Sequence, residues 1–243
     1  MNKFTISIIV LLVAFGVLIF MASRNGTQSN LSDQDRADIL AIQADDHIQG
    51  NPDADVVLVE YADLECPACA AFHPLVQEVL AQYGDSIAVV SRHFPLSIHQ
   101  NSRTAAWAVE AAALQGKYYE MADMLYTRQS EWSGKIANVS IFEPYAEELG
   151  LDMAQYRADV LSDEVKARVE KDLQESRTLG LNSTPTFFLQ GEKLVGVGNA
   201  NAFAQAIEGA IAKANALVQE EEETNTSITT STSSMSTSTA TSS

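Results

Sequence analysis

The chain has only two cysteines, Cys66 and Cys69, and both stand at the end of an apolar run, in Glu60-Tyr61-Ala62-Asp63-Leu64-Glu65-Cys66-Pro67-Ala68-Cys69. Neither has another thiol in the chain to reach, so the pair serves itself or a shared ligand. A disulfide closing so short a loop restricts the unfolded chain by only about 2 kcal/mol, near the bottom of what structural disulfides give. In helical geometry an i, i+3 pair has Cα atoms roughly 5 Å apart, within the span a disulfide tolerates, so the bond can open and close with little backbone motion. Redox work is favoured over stapling.

With 243 residues the chain is long enough for one large domain or a domain carrying an insertion. Acidic residues outnumber basic ones 32 to 15, for a formal net charge of −17. Nucleic-acid affinity is built largely from Lys and Arg contacts, so a nucleic-acid partner is excluded from the candidate functions. Ile6 to Ala22 is uncharged and interrupted only by Ser7 and Gly16, with Lys3 before it and Arg24 after it. At 1.5 Å per residue it reaches roughly 25 Å, which suits a short membrane span. Residues 1–24 are therefore expected to be a transmembrane signal anchor in the bilayer through residues 6–22, with cleavage as a signal peptide after Ala22 or Ser23 as the alternative, and the bulk of the chain on the extracytoplasmic side. Disulfides persist there.

Residues 25–46 are polar and mixed and are expected to form a tether, with a short helix around Leu31–Leu40. After the turn signal Gly50-Asn51-Pro52-Asp53, the β-branched run Val56-Val57-Leu58-Val59 predicts a strand buried on both faces. A helix is expected from Pro67 through Phe72, Leu75, Val76, Val79 and Leu80 to Gly84, bent by the internal Pro74. Ile87 to Phe94 predicts a second strand. Residues 97–179 show little strand signal; helices are expected over Ala105–Leu114, Lys117–Tyr126, Ile136–Leu149 and Met153–Leu179. Thr186–Leu189 and Lys193–Val197 then read as a hairpin, and Asn201–Val218 as a closing amphipathic helix. Residues 219–243, acidic and then Ser/Thr-rich, are expected to be disordered. This order is α/β with an inserted helical domain at 97–179 between 47–96 and 180–218.

A strand feeding a helix puts Cys66 at the carboxyl edge of the sheet, where open α/β sheets keep their sites. Cys66 in the first turn faces unpaired backbone N–H groups and the positive helix end, which stabilise a thiolate; it is the expected attacking sulfur. Cys69, one turn in, is the expected resolving thiol. Pro67 suits the first helical position. Asp63 and Glu65 oppose the dipole. A second reading is a metal or metallochaperone site, since Cys66, Cys69 and His73 share the helix and thiolate with imidazole suits zinc or copper. No second Cys-x-x-Cys supplies further ligands. His47, His93 and His99 have no ligand spacing, and Trp107, Tyr118, Tyr119 and Trp132 are expected to pack in the helical block.

The run Val59 to Cys69, the phrase Arg92-His93-Phe94-Pro95-Leu96 and the stretch Ser183-Thr184-Pro185-Thr186-Phe187-Phe188 together resemble the DsbA-like thiol:disulfide oxidoreductases of the thioredoxin superfamily, in membrane-anchored form. The resemblance covers roughly His47 to Val218 and implies a thioredoxin-like mixed sheet with an inserted helical domain. It implies that Cys66 is the nucleophile, Cys69 the resolving cysteine, and Pro185 a cis-proline facing the disulfide, with Thr184 before it offering backbone groups to a substrate strand. It makes Glu60 the buried acid that accepts the resolving thiol's proton, and Pro74 a structural kink. Two positions depart from the family: Ala68 replaces the His of the strongest oxidants, and Ser183 a frequent Gly. The resemblance implies no cofactor besides the redox-active cysteine pair, exported cysteine-containing proteins as substrates, and a membrane redox partner for recycling. Isomerases of this superfamily add a dimerisation domain, for which only residues 25–46 are available. An oxidase is the expected activity, with reductase or isomerase as the alternative.

Overall fold

The computed structural model describes residues 31–235, leaving out Ala137 and Gly198 and the side chains of Ala200 and of residues 221–235. The expected anchor, residues 1–24, lies outside the described residues, as does the start of the tether. Among the described residues no helix is long and apolar enough to cross a membrane.

A five-stranded mixed sheet runs in the order β1-β3-β2-β4-β5, with β1 His47–Gly50, β2 Val56–Ala62, β3 Ile87–His93, β4 Thr186–Leu189 and β5 Glu192–Lys193. β2 is parallel to β3 and antiparallel to β4, which places Glu60 opposite both Ser91 and Phe187. Helix α1 is Asp33–Leu40, capped by Ser32, and α2 is Pro67–Tyr83 with Pro74 inside it. The helical block holds α3 Ser102–Ala113, α4 Tyr118–Thr127, α5 Gln129–Trp132, a 3-10 turn at Val139–Phe142, α6 Glu143–Glu148 and α7 Met153–Asp159. α8, Asp163–Thr178, leads back to the sheet, and α9, Ala200–Met235, closes the chain.

The burial of β2 follows from its position. As the central strand it sends Leu58 to a core with Val76, Val79, Phe203 and Ile207, and Val59 and Tyr61 to another with Leu40, Leu173 and Phe188. Period-2 alternation between two covered faces explains why the strand reads as continuously apolar. A third core fills the helical block around Met121, Leu125, Trp132 and Phe142. Trp132 is buried there with its Nε1 donating to Leu125 O at 2.9 Å. Trp107 and Tyr119 pack against the same core.

Several expected boundaries move. Residues 31–46 are part of the domain and not a loose tether: Leu40 is buried, and Arg92 of β3 donates to Ile39 O, to Ala41 O at 2.8 Å and to both Asp46 carboxylate oxygens at 2.8 and 2.9 Å. A buried guanidinium needs these acceptors, which hold the α1–β1 segment against β3. Strand β1 was not foreseen; its four residues, His-Ile-Gln-Gly, carry too little apolar pattern. The expected helix over 136–149 divides into a 3-10 turn and α6, begun by Pro144 near its N-terminus. The expected helix over 153–179 breaks at Val160–Ser162, where Ser162 caps α8 by accepting from Val165 N at 3.2 Å. The expected strand Lys193–Val197 shortens to Glu192–Lys193, because Gly196 takes φ +75° and turns the chain out of the sheet. The backbone past Val218, expected to be disordered, stays helical to Met235; packed turns such as Phe203–Ile207 nucleate the helix, and glutamates 220–223 extend it readily. Residues 236–243 lie outside the described residues.

Candidate active site

Cys66 is the N-cap of α2, with Pro67 at N1 and no side-chain cap. An unblocked helix start leaves backbone N–H groups free to face its sulfur. Both cysteines are free and buried, Cys66 at 7% exposure and Cys69 at 1%. The Cys69 thiol donates to Cys66, and against the opposing effect of burial this donation, helped by the N–H groups of Ala68 and Cys69, holds the Cys66 thiol down at about 5. Burial, and the thiolate already present on Cys66, push Cys69 far up. The pair is asymmetric: one sulfur is ionised at neutral pH and the other keeps its proton. Asp63 N donates to Cys69 Sγ at 3.4 Å.

Across from the sulfurs, the Thr184–Pro185 peptide bond is cis. Cys66 Sγ lies 3.5 Å from Thr184 O, and Thr184 is buried. Pro185 leads directly into β4, so the central sheet fixes it relative to Cys66 through the pairing of β2 with β4.

Glu60 lies on β2 behind Cys69. Burial alone raises its carboxyl to about 7, and no hydrogen-bond or ion-pair partner among the described residues lies against it. Its charge contributes to the upward push on Cys69, so the two groups share one low-dielectric environment. The structure thus brings together all five sequence-predicted positions: Cys66, Cys69, Glu60, Thr184 and Pro185.

The metal reading fares differently. His73 turns to α4, where its Nε2 sits 2.9 Å from Asp123 Oδ1 and its ring packs 4.8 Å from Tyr126. Among the described residues no group of three or more His, Cys, Asp or Glu could hold a metal ion. The other histidines are also paired, His47 and His93 with Glu110 at 3.0 and 2.9 Å and His99 with Asp63 at 2.7 Å.

Sequence reasoning missed what holds the motif. Asp63 and Glu65, expected only to oppose the dipole, are buried acceptors. Asp63 takes N–H groups from Glu65 at 2.8 Å and Leu96 at 2.9 Å together with His99. Glu65 accepts from Gly134 N at 2.8 Å, Ser133 Oγ at 3.2 Å and Asn101. From the start of α5, Gln129 donates one amide nitrogen to Leu64 O at 2.8 Å and Cys66 O at 3.1 Å. The only local sign of this network is two carboxylates at alternate positions in an apolar stretch.

A thiolate at a helix start, a buried protonated partner and a facing cis-proline, set on a mixed sheet with helices on both faces, define a dithiol site of thioredoxin-like architecture. A family model described as Thioredoxin matches residues 43–209, and the chain belongs to that family. It is similar to a thioredoxin-like oxidoreductase from Silicibacter pomeroyi DSS-3, with 30% identity and a TM-score of 0.61 over 73% of this chain and 96% of that one. It shares its fold with alpha-DsbA1 of Wolbachia pipientis, at 20% identity and a TM-score of 0.68 over 75% and 99% of the two chains. It is 42% identical over 168 residues to Na(+)/H(+) antiporter NhaA 1 of Mycobacterium sp. (strain KMS), a match covering 67% of this chain and 26% of the antiporter. The chain therefore spans about a quarter of the length of the curated relatives it matches.

Proposed function

We propose that the protein is an extracytoplasmic thiol:disulfide oxidoreductase working as a dithiol oxidase through the Cys66–Cys69 pair. The observation that carries this reading is the depressed Cys66 thiol facing Thr184 and Pro185, with Cys69 held protonated one turn away. A substrate thiolate attacks Cys66 Sγ of the disulfide form and Cys69 leaves; a second substrate thiolate then releases Cys66 as the stabilised thiolate. Stabilising the thiolate favours the dithiol product and makes the disulfide the better oxidant, which supports oxidase over reductase. Ala68 supplies no charge to that thiolate, so the Cys69 thiol and the helix N–H groups carry the effect. On this reading the Thr184 carbonyl beside Cys66 receives the backbone of a substrate strand. Glu60 takes up and returns the Cys69 proton.

Residues 6–22 anchor the domain in the bilayer on this reading, and a membrane redox partner reoxidises the dithiol. The likeness to one quarter of an antiporter supports no transport activity for this chain. It fits a domain type that membrane proteins also carry.

The test uses the full-length purified chain. It is expected to oxidise a reduced peptide, with Cys69→Ala accumulating mixed disulfides and Cys66→Ala accumulating none. A reduction potential above about −200 mV is expected; a value near −270 mV, that of thioredoxin, makes the protein a reductase instead. Stoichiometric zinc binding with no trapped substrate would overturn the redox reading.

A further inference from the structure

Beside Glu60 lies a cavity of about 40 Å³, lined by Glu60 of β2, His73 and Gln77 of α2, Ser91 of β3, and Tyr119 and Tyr126 of α4. That is room for about one water molecule, and the lining is polar enough to hold it. No hydrogen bond or ion pair links Glu60 to another described side chain, and burial is the sole cause of its raised carboxyl. His73 borders the same cavity, is 14% exposed, and places Nε2 2.9 Å from a carboxylate of Asp123 that is 57% exposed. A titratable ring thus stands between a buried acid and a solvent-facing one.

We propose that His73, paired with Asp123, is the relay through which Glu60 exchanges its proton with solvent across a water in this cavity. The proposal rests on the redox reading above and names the path that reading leaves open. When a substrate thiolate attacks Cys66 Sγ, the Cys66–Cys69 bond breaks, its electron pair leaves on Cys69 Sγ, and that sulfur takes the Glu60 proton. Solvent restores it through Asp123, His73 and the cavity water. In the return half-cycle Cys69 gives its proton to Glu60 as its sulfur attacks the Cys66 sulfur of a mixed disulfide and expels the other thiolate. The proton then travels outward by the same route.

Of the other ionisable groups around the cavity, two are paired elsewhere and three keep their protons. His93 is held by Glu110 at 2.9 Å and Arg92 by Asp46 at 2.8 Å. Tyr118, Tyr119 and Tyr126 face it from α4, and burial pushes all three phenols upward, so they stay protonated. Gln77 and Ser91 can orient a water and cannot carry a charge. His73 and Asp123 are the remaining titratable pair.

The experiment measures, in the full-length protein, how fast Cys69 resolves a Cys66–glutathione mixed disulfide between pH 5 and 9. His73→Gln keeps a donor for Asp123 but cannot take up a proton and pass it on. It is expected to slow resolution roughly tenfold, less than the factor of about 10² to 10⁴ of a positioned acid–base group because slow direct hydration remains, and to flatten the pH profile. Glu60→Gln should slow the step further, and adding His73→Gln to it should cost nothing more, since both act on one path. The Cys66 thiolate absorbance titration and the thermal midpoint should be unchanged in His73→Gln. Three results would each overturn the relay: an unchanged rate and pH profile, losses that multiply in the double variant, or a rate that falls only together with the thermal midpoint. A wild type that neither forms nor resolves the mixed disulfide would overturn the redox reading itself, and the relay with it.

Discussion

Glu60 is expected to lower the stability of the folded protein at neutral pH, and its removal should raise it. In the unfolded chain the carboxyl titrates near 4.5; folding moves it to about 7 by burial, with no compensating partner. Below pH 4.5 both states are protonated and the residue is neutral in effect. Between the two values the unfolded chain ionises while the folded one does not, so stability falls as pH rises. Above pH 7 the folded state carries the full difference, about 3 kcal/mol at 1.36 kcal/mol per pH unit. Glu60→Gln, similar in shape to the protonated acid, should match the wild type at pH 4 and exceed it by about 3 kcal/mol at pH 8. Urea unfolding of the reduced full-length protein across this range measures it. With m up to about 3 kcal/mol per M, the midpoint should rise by about 1 M or more at pH 8. A difference that does not grow with pH, or a variant weaker than the wild type at pH 8, would refute the assignment of Glu60 as an unpartnered buried acid. The same variant should exchange thiols more slowly, so stability and activity move in opposite directions.

Cys69→Ala should raise the Cys66 thiol above about 5, because the Cys69 S–H is the largest contribution holding it down; thiolate absorbance near 240 nm reads the change directly. Arg92→Met should cost roughly 3 to 5 kcal/mol by urea unfolding, since it breaks the buried Arg92–Asp46 pair and leaves the carboxylate only Gln43 N at 2.7 Å and Arg168 at 3.8 Å, and detachment of α1 should appear as faster amide exchange over residues 33–46.

The parts of the fold that were legible are those in which one local pattern carries the element. Val56–Val59 reads as a central strand because both its faces are covered, and Pro67–Tyr83 as a helix because its apolar spacing is unbroken even across Pro74. β1 escaped because His47–Gly50 owes its conformation to pairing with Ala88–Ser91, not to its own residues. The site followed the same division. Cys66, Cys69 and Pro185 announce themselves by type and spacing, and Glu60 by sitting within an apolar strand. The supports of the motif do not: the partners of Asp63 and Glu65, at Leu96, His99, Asn101 and Gly134, lie thirty or more positions away in sequence. His73 was visible only as a candidate ligand, because the cavity and the carboxylate that give it another use belong to different elements.

The bonds from Gln129 to the carbonyls of Leu64 and Cys66 make the helical block something other than an exchangeable lid. A chimera that keeps the sheet and both cysteines but takes its helices from a relative would inherit a loosely hung Cys66 unless three contacts travelled with the graft: Gln129, the Ser133–Gly134 corner and Asn101. In this chain the border between scaffold and insert therefore runs through the reactive loop itself, and the two halves must be transplanted, or redesigned, as one.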